Sequence, residues 1–80
     1  MTEVEVRAEL KTWIRRRAQL AASEVLEDTT PILERGILSS LDVGELIFYI
    51  ESLRGAEIDI EHVEPKVLKS VDTLYRAFFG

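Results

Sequence analysis

Apolar side chains recur along this chain at helical intervals in three stretches, separated by polar, glycine- and proline-punctuated segments. Val6, Leu10, Trp13, Ile14 and Leu20 define one buried face and predict a helix from about Glu3 to Leu20. Thr2 followed by Glu5 has the spacing of a capping box at its start. Arg15, Arg16 and Arg17 lie in its C-terminal half, where positive charge complements the helix dipole. Three adjacent arginines spread around a helix, so they read as a solvated helix end rather than a stripe for nucleic acid.

The second stretch predicts a helix over about Ser40 to Arg54, with Gly55 as its C-terminal stop. Val43, Leu46, Ile47, Ile50 and Leu53 form its inner face. Leu41, Gly44, Glu45 and Phe48 fall on another side. Leu41 and Phe48 are not needed by the inner stripe, so they form either a docking surface or the underside of a neighbouring loop or helix. In the third stretch Ser70 caps a helix over about Val71 to Phe79, with Val71, Leu74, Tyr75 and Phe78 at helical spacing.

Between the first two helices runs a long connection, residues 21–39, broken at Glu27-Asp28-Thr29-Thr30-Pro31. Ile32, Leu33, Ile37 and Leu38 are expected to pin it to the core. A connection this long inside a compact domain usually serves a function. Ile58 to Pro65 reads as a loop with one or two short helical turns, and Pro65 suits a first helical position. The pattern as a whole predicts an all-α chain of three main helices plus a short one, arranged as a single small bundle spanning residues 1–80.

Composition narrows the function. An apolar share of 46% fits a folded globule rather than a disordered chain. No apolar run reaches the length of a membrane span, and Met-Thr-Glu-Val-Glu lacks the pattern of a secretion signal. A cytoplasmic location and no membrane partner are therefore expected. There is no cysteine, which excludes disulfides and thiolate metal sites. If the chain handles thioesters, the sulfur arrives on a prosthetic group. The net charge of −5 is uneven. Residues 1–23 hold five basic and three acidic side chains, whereas residues 24–80 hold five basic and twelve acidic ones. An acidic surface suits basic protein partners and disfavours nucleic acid.

No converging catalytic set is visible. The single histidine, His62, sits in a polar turn, and there is no HExxH, GxSxG or phosphate-binding glycine loop. No metal or catalytic residue is expected. What the sequence does offer is a hydroxyl at a helix start. Gly36-Ile37-Leu38-Ser39-Ser40-Leu41 carries a glycine-punctuated loop into an apolar helix. A phosphate ester on Ser40 would sit among unpaired N–H groups at the positive end of the helix dipole.

The segment from Pro31 to Leu46 resembles the attachment segment of acyl carrier proteins. In that family a glycine precedes an Asp-Ser-Leu triplet, and a Glu-Leu pair lies further along the helix; here the corresponding residues are Gly36, Ser39-Ser40-Leu41 and Glu45-Leu46. Ile58, Val63, Pro65, Leu68, Ser70, Val71 and Leu74 are similar to the family's short third helix and capped fourth. The resemblance covers nearly the whole chain and implies a four-helix bundle. It is closest to stand-alone carriers of acyl, aminoacyl or peptidyl groups.

The resemblance further implies 4′-phosphopantetheine, taken from coenzyme A, attached at Ser40, with Ser39 the alternative acceptor. Its implied partners are a phosphopantetheinyl transferase, an acyl- or aminoacyl-activating ligase, and a downstream acyltransferase or synthase. The chain would act as a monomeric carrier, not an enzyme, and Leu41, Asp42, Gly44, Glu45 and Phe48 would face partners, with Glu34 and Glu51 nearby. Ser39 departs from the family's aspartate and removes a charge beside the acceptor. Ser39 with Asp42 nevertheless keeps capping-box spacing. Gly44 departs as well, either to let a partner or the arm come close or as an unselected flaw. The bulky Phe48, Tyr49, Tyr75, Phe78 and Phe79 favour a small cargo if they fill the bundle. The rival reading is a small helical adaptor that docks through Leu41 and Phe48 and is never modified.

Overall fold

The computed structural model describes every residue, Met1–Gly80, and is all-helical. α1 spans Glu3–Ala18, α2 Ser40–Arg54 and α3 Val71–Phe78. Between α2 and α3 lie two short 3₁₀ turns, Ile60–His62 and Pro65–Leu68. The one or two short helical turns expected after Ile58 are these two 3₁₀ turns, and Pro65 opens the second of them as its fixed φ suits.

Each α-helix begins with a reciprocal cap. Thr2 with Glu5, Ser39 with Asp42 and Ser70 with Thr73 all exchange side-chain and backbone hydrogen bonds. α2 ends at Gly55, which takes a left-handed conformation at φ 74°. α1 stops two residues before the expected Leu20. Gln19 turns left-handed at φ 54°, and Leu20 N–H closes back onto the Arg15 carbonyl at 3.0 Å. Leu20 then folds against the core rather than continuing the helical face.

The core is continuous across all three helices and the long connection. Val6, Leu10 and Ile14 of α1 meet Leu46 and Ile50 of α2 and Val71 and Leu74 of α3. Leu26, Ile32 and Leu38 complete it from the connection. Ile32 and Leu38 were expected there; Leu26 and the buried hydroxyl of Thr30 were not. Leu33 and Ile37 pack at the margin. The connection is also sewn to the C-terminal third through its backbone. Ile32 N–H donates to the Lys69 carbonyl at 2.9 Å, and Asp72 N–H donates to the Asp28 carbonyl at 2.8 Å. No helix is long and apolar enough to cross a membrane.

Charge reinforces the same junction. Arg7, only 15% exposed, donates to Glu3, Asp28 and Asp72 at 2.9–3.0 Å, and its guanidinium lies 4.6 Å from the Tyr75 ring centre. Lys11 joins Asp28 at 2.7 Å. One side chain of α1 therefore holds the connection and the start of α3 together.

Candidate functional site

The segment preceding Ser40 is a compact turn. Arg35 N–H reaches the Pro31 carbonyl, and Ile37 and Leu38 N–H both return to the Ile32 carbonyl. Gly36 at φ 70° supplies the left-handed residue this reversal needs. With Ile32 and Leu38 buried on either side, the chain leaves the core at Ser39 in a fixed direction.

The two serines then divide their roles. Ser39 is the N-cap in extended conformation. Its hydroxyl accepts from Asp42 N–H and donates to Asp42 Oδ2, while its own N–H donates to the same oxygen at 2.9 Å. Ser40 is the first helical residue, is exposed, and takes no part in the cap. Its hydroxyl is free, and as first-turn residues Ser40 and Leu41 have N–H groups without intrahelical partners. The donor set suits an anionic ester at Ser40 Oγ and leaves Ser39 occupied.

Ser39 itself brings no charge to the start of α2. The Asp42 carboxylate reaches back to Ser39, so a negative group remains beside the helix start. The hydrogen bond from the Ser39 backbone, followed by that from Arg17, holds the Asp42 pKa below the usual carboxylate range.

Along α2 the expected outer face is present. Leu41 is 85% and Phe48 72% exposed, so neither packs under a neighbouring segment. Gly44 lies between them on the helix surface. A Cβ built there meets nothing within 4 Å, and the backbone is not left-handed, so neither packing nor conformation demands glycine. Gly44→Ala is accordingly expected to stabilise the fold by about 1 kcal/mol. Thermal unfolding followed by circular dichroism checks this, as a rise in Tm of roughly 4–8 °C.

Three acidic residues expected to face partners are engaged within the chain. Asp42 accepts from Arg17 Nε at 2.8 Å, Glu45 pairs with the other arm of the same guanidinium, and Glu51 accepts from Ile58 N–H at 2.7 Å. Glu34 is exposed. The arginine triplet is therefore not a merely solvated helix end. Arg17 crosses to α2, and Arg15 closes the end of α1 by donating to the Ala21 and Glu24 carbonyls. Sequence periodicity carries no signal for such cross-element pairs.

Beside this ion cluster, a groove of about 390 Å³ runs between α1 and α2, lined by Glu9, Thr12, Trp13, Arg16, Arg17, Glu45 and Tyr49. Trp13 and Tyr49 stack with ring centres 5.8 Å apart. The Tyr49 hydroxyl donates to Glu9 at 3.0 Å, and burial, followed by Glu9, raises its pKa. None of the surface cavities is lined by a residue of the central core cluster. His62 is exposed and bonded to Asp59 in the first 3₁₀ turn, away from any grouping of nucleophile and base. No group of three or more His, Asp or Glu side chains is arranged to hold a metal ion.

No family model matches this chain. No curated protein matches it either. Among solved structures, a chain in one described as "Crystal structure of FAD-dependent dehydrogenase" matches with a TM-score of 0.70 and 30% identity, over 84% of this chain and 94% of that one. The two chains belong to one family of small helical folds. Since 84% of 80 residues makes up 94% of the matched chain, that chain is about 71 residues long.

Proposed function

We propose that this chain is a carrier domain of the acyl carrier protein type, a four-helix bundle in that family's sense with the two 3₁₀ turns standing for the short third helix. The carrying observation is the division of labour at the start of α2: Ser39 Oγ is consumed by the cap, while Ser40 Oγ is exposed and unbonded at the positive end of the helix. Ser40 would hold 4′-phosphopantetheine through a phosphodiester. When bound, that group supplies a terminal thiol on which an acyl or aminoacyl cargo is held as a thioester.

The residues of the chain do the rest. The unpaired N–H groups of the first turn and the α2 dipole favour the phosphodiester anion. The buried Ile32 and Leu38 hold the preceding turn rigid. Leu41 and Phe48 offer a small exposed apolar contact for partner enzymes. Such an interface is small enough for quick release, which a shuttle between enzymes requires. Tethering raises the effective concentration of cargo at each docked active site.

The flavin dehydrogenase named for the related structure supplies a partner class. This all-helical chain of 80 residues has no strand and no Gly-x-Gly-x-x-Gly turn with which to hold a dinucleotide. In this reading the flavin belongs to a separate enzyme, and the chain presents the cargo that enzyme oxidises.

Incubation with coenzyme A and a promiscuous phosphopantetheinyl transferase, followed by intact-mass measurement, tests the reading. One arm per chain is expected. A folded sample that gains no mass would favour the unmodified adaptor, docking through Leu41 and Phe48.

A further inference from the structure

Arg17 joins the two carboxylates nearest the attachment serine to a different helix. It projects from the last turn of α1, gives Nε to Asp42 Oδ1 at 2.8 Å, and pairs through its other arm with Glu45. The other Asp42 oxygen is fixed in the Ser39 cap, so Oδ1 is the oxygen left to exchange partners. Glu45 has no other partner and is 55% exposed. It shares the outer face of α2 with Leu41 and Phe48. The negative charge beside the apolar docking pair is therefore neutralised from within the chain.

We infer that Arg17 is an internal competitor for the cation of a docking enzyme: it occupies Asp42 and Glu45 in the free chain and is exchanged for a basic group of the enzyme that loads Ser40. The inference rests on the carrier reading. Its chemistry favours easy exchange. The Arg17 side chain is 38% exposed, so releasing it leaves no ion buried, and an exposed ion pair is worth little net free energy. Two carboxylates each taking one nitrogen of a single guanidinium still favour Arg17 over a weakly basic surface group. Once displaced, the guanidinium has a place to go. The groove beside it is lined by Trp13, Tyr49 and the carboxylate-bearing Glu9, side chains of the kinds that attract a cation. Docking is thus restricted to enzymes whose basic group outcompetes Arg17, while the capping box that positions Ser40 remains intact throughout.

The test is the KM of the intact chain as substrate for a promiscuous phosphopantetheinyl transferase, read by intact mass, with circular dichroism confirming the fold of each variant. Arg17→Gln bares Asp42 and Glu45 and is expected to lower KM roughly two- to fivefold with kcat unchanged. Arg17→Lys retains the charge and should stay near the wild-type KM. Glu45→Gln combined with Arg17→Gln should cancel most of the gain, because the group to be unmasked is gone. A folded Arg17→Gln chain whose KM is unchanged or raised overturns the exchange but leaves the carrier reading standing. A wild-type chain that gains no arm overturns the carrier reading, and the exchange with it.

Discussion

Ser40→Ala is expected to abolish attachment completely, while Ser39→Ala keeps it. The two hydroxyls are neighbours in sequence but not in role. Ser39 Oγ both accepts from and donates to Asp42, closing the N-terminus of α2. Removing it costs about 1 kcal/mol of cap stability. The chain should then fold with a lowered Tm and still take one arm. Ser40 contributes nothing to the cap, so its replacement leaves stability nearly unchanged and removes the acceptor that the proposed function requires. Intact mass and thermal melting on the two variants separate these outcomes. Attachment that persists in Ser40→Ala and vanishes in Ser39→Ala would move the acceptor one residue upstream and undo the assignment of roles.

The largest expected loss of stability comes from Arg7→Ala. The guanidinium bridges Glu3, Asp28 and Asp72 while lying over Tyr75, with little exposure to water. Its removal strips Asp28 and Asp72 of their shared partner and leaves packing space against the Tyr75 ring. A destabilisation of about 2–3 kcal/mol follows. For a domain this small that corresponds to a fall in Tm of roughly 10–20 °C. Arg7→Lys, which keeps one charge but not the fork, should fall between.

The pH dependence has a definite sign. The Asp28 carboxyl is held below its usual pKa of 3.8, first by Lys11 and then by Arg7 against some burial. A depressed folded pKa stabilises the fold above the unfolded value, and the contribution disappears as pH falls through the folded value. Wild type should therefore hold its stability at neutral pH and lose it below about pH 4. The gap between wild type and Arg7→Ala should narrow over that same acid window, since both then lack the ion pair. Urea denaturation at a series of pH values measures it; a gap that widens on acidification would contradict this role for Arg7.

Local rules made part of this fold legible from the chain alone. Each cap is decided within three residues, so Thr2–Glu5, Ser39–Asp42 and the Ser70 start were all visible in the sequence. The bounds of α2 agree at both ends because Ser39 and Gly55 are strong local signals. The end of α1 was misplaced because Leu20 continues the apolar spacing, while the chain turns left-handed at Gln19, a residue with no sequence signature for that conformation. The core contribution of Leu26 was hidden because it stands alone among Glu24, Glu27 and Asp28, outside any helical apolar spacing.

At the candidate site, the inner stripe leaves Leu41 and Phe48 on a separate face, but whether that face is covered or exposed could be decided only by the fold. The cross-helix ion pairs could not be anticipated. Arg17 meets Asp42 and Glu45 across 25 and 28 residues, and Arg7 meets Asp72 across 65. Such partners share no periodicity, and only the folded arrangement brings them together.

The stitching of the connection to the C-terminal third has a consequence for timing. Ile32 and Asp28 find their backbone partners only at Lys69 and Asp72. A nascent chain stalled after α2 would already contain the serine, yet its preceding turn would lack both anchors. The turn that presents that hydroxyl is therefore complete only once residues 69–72 have been made and packed against it.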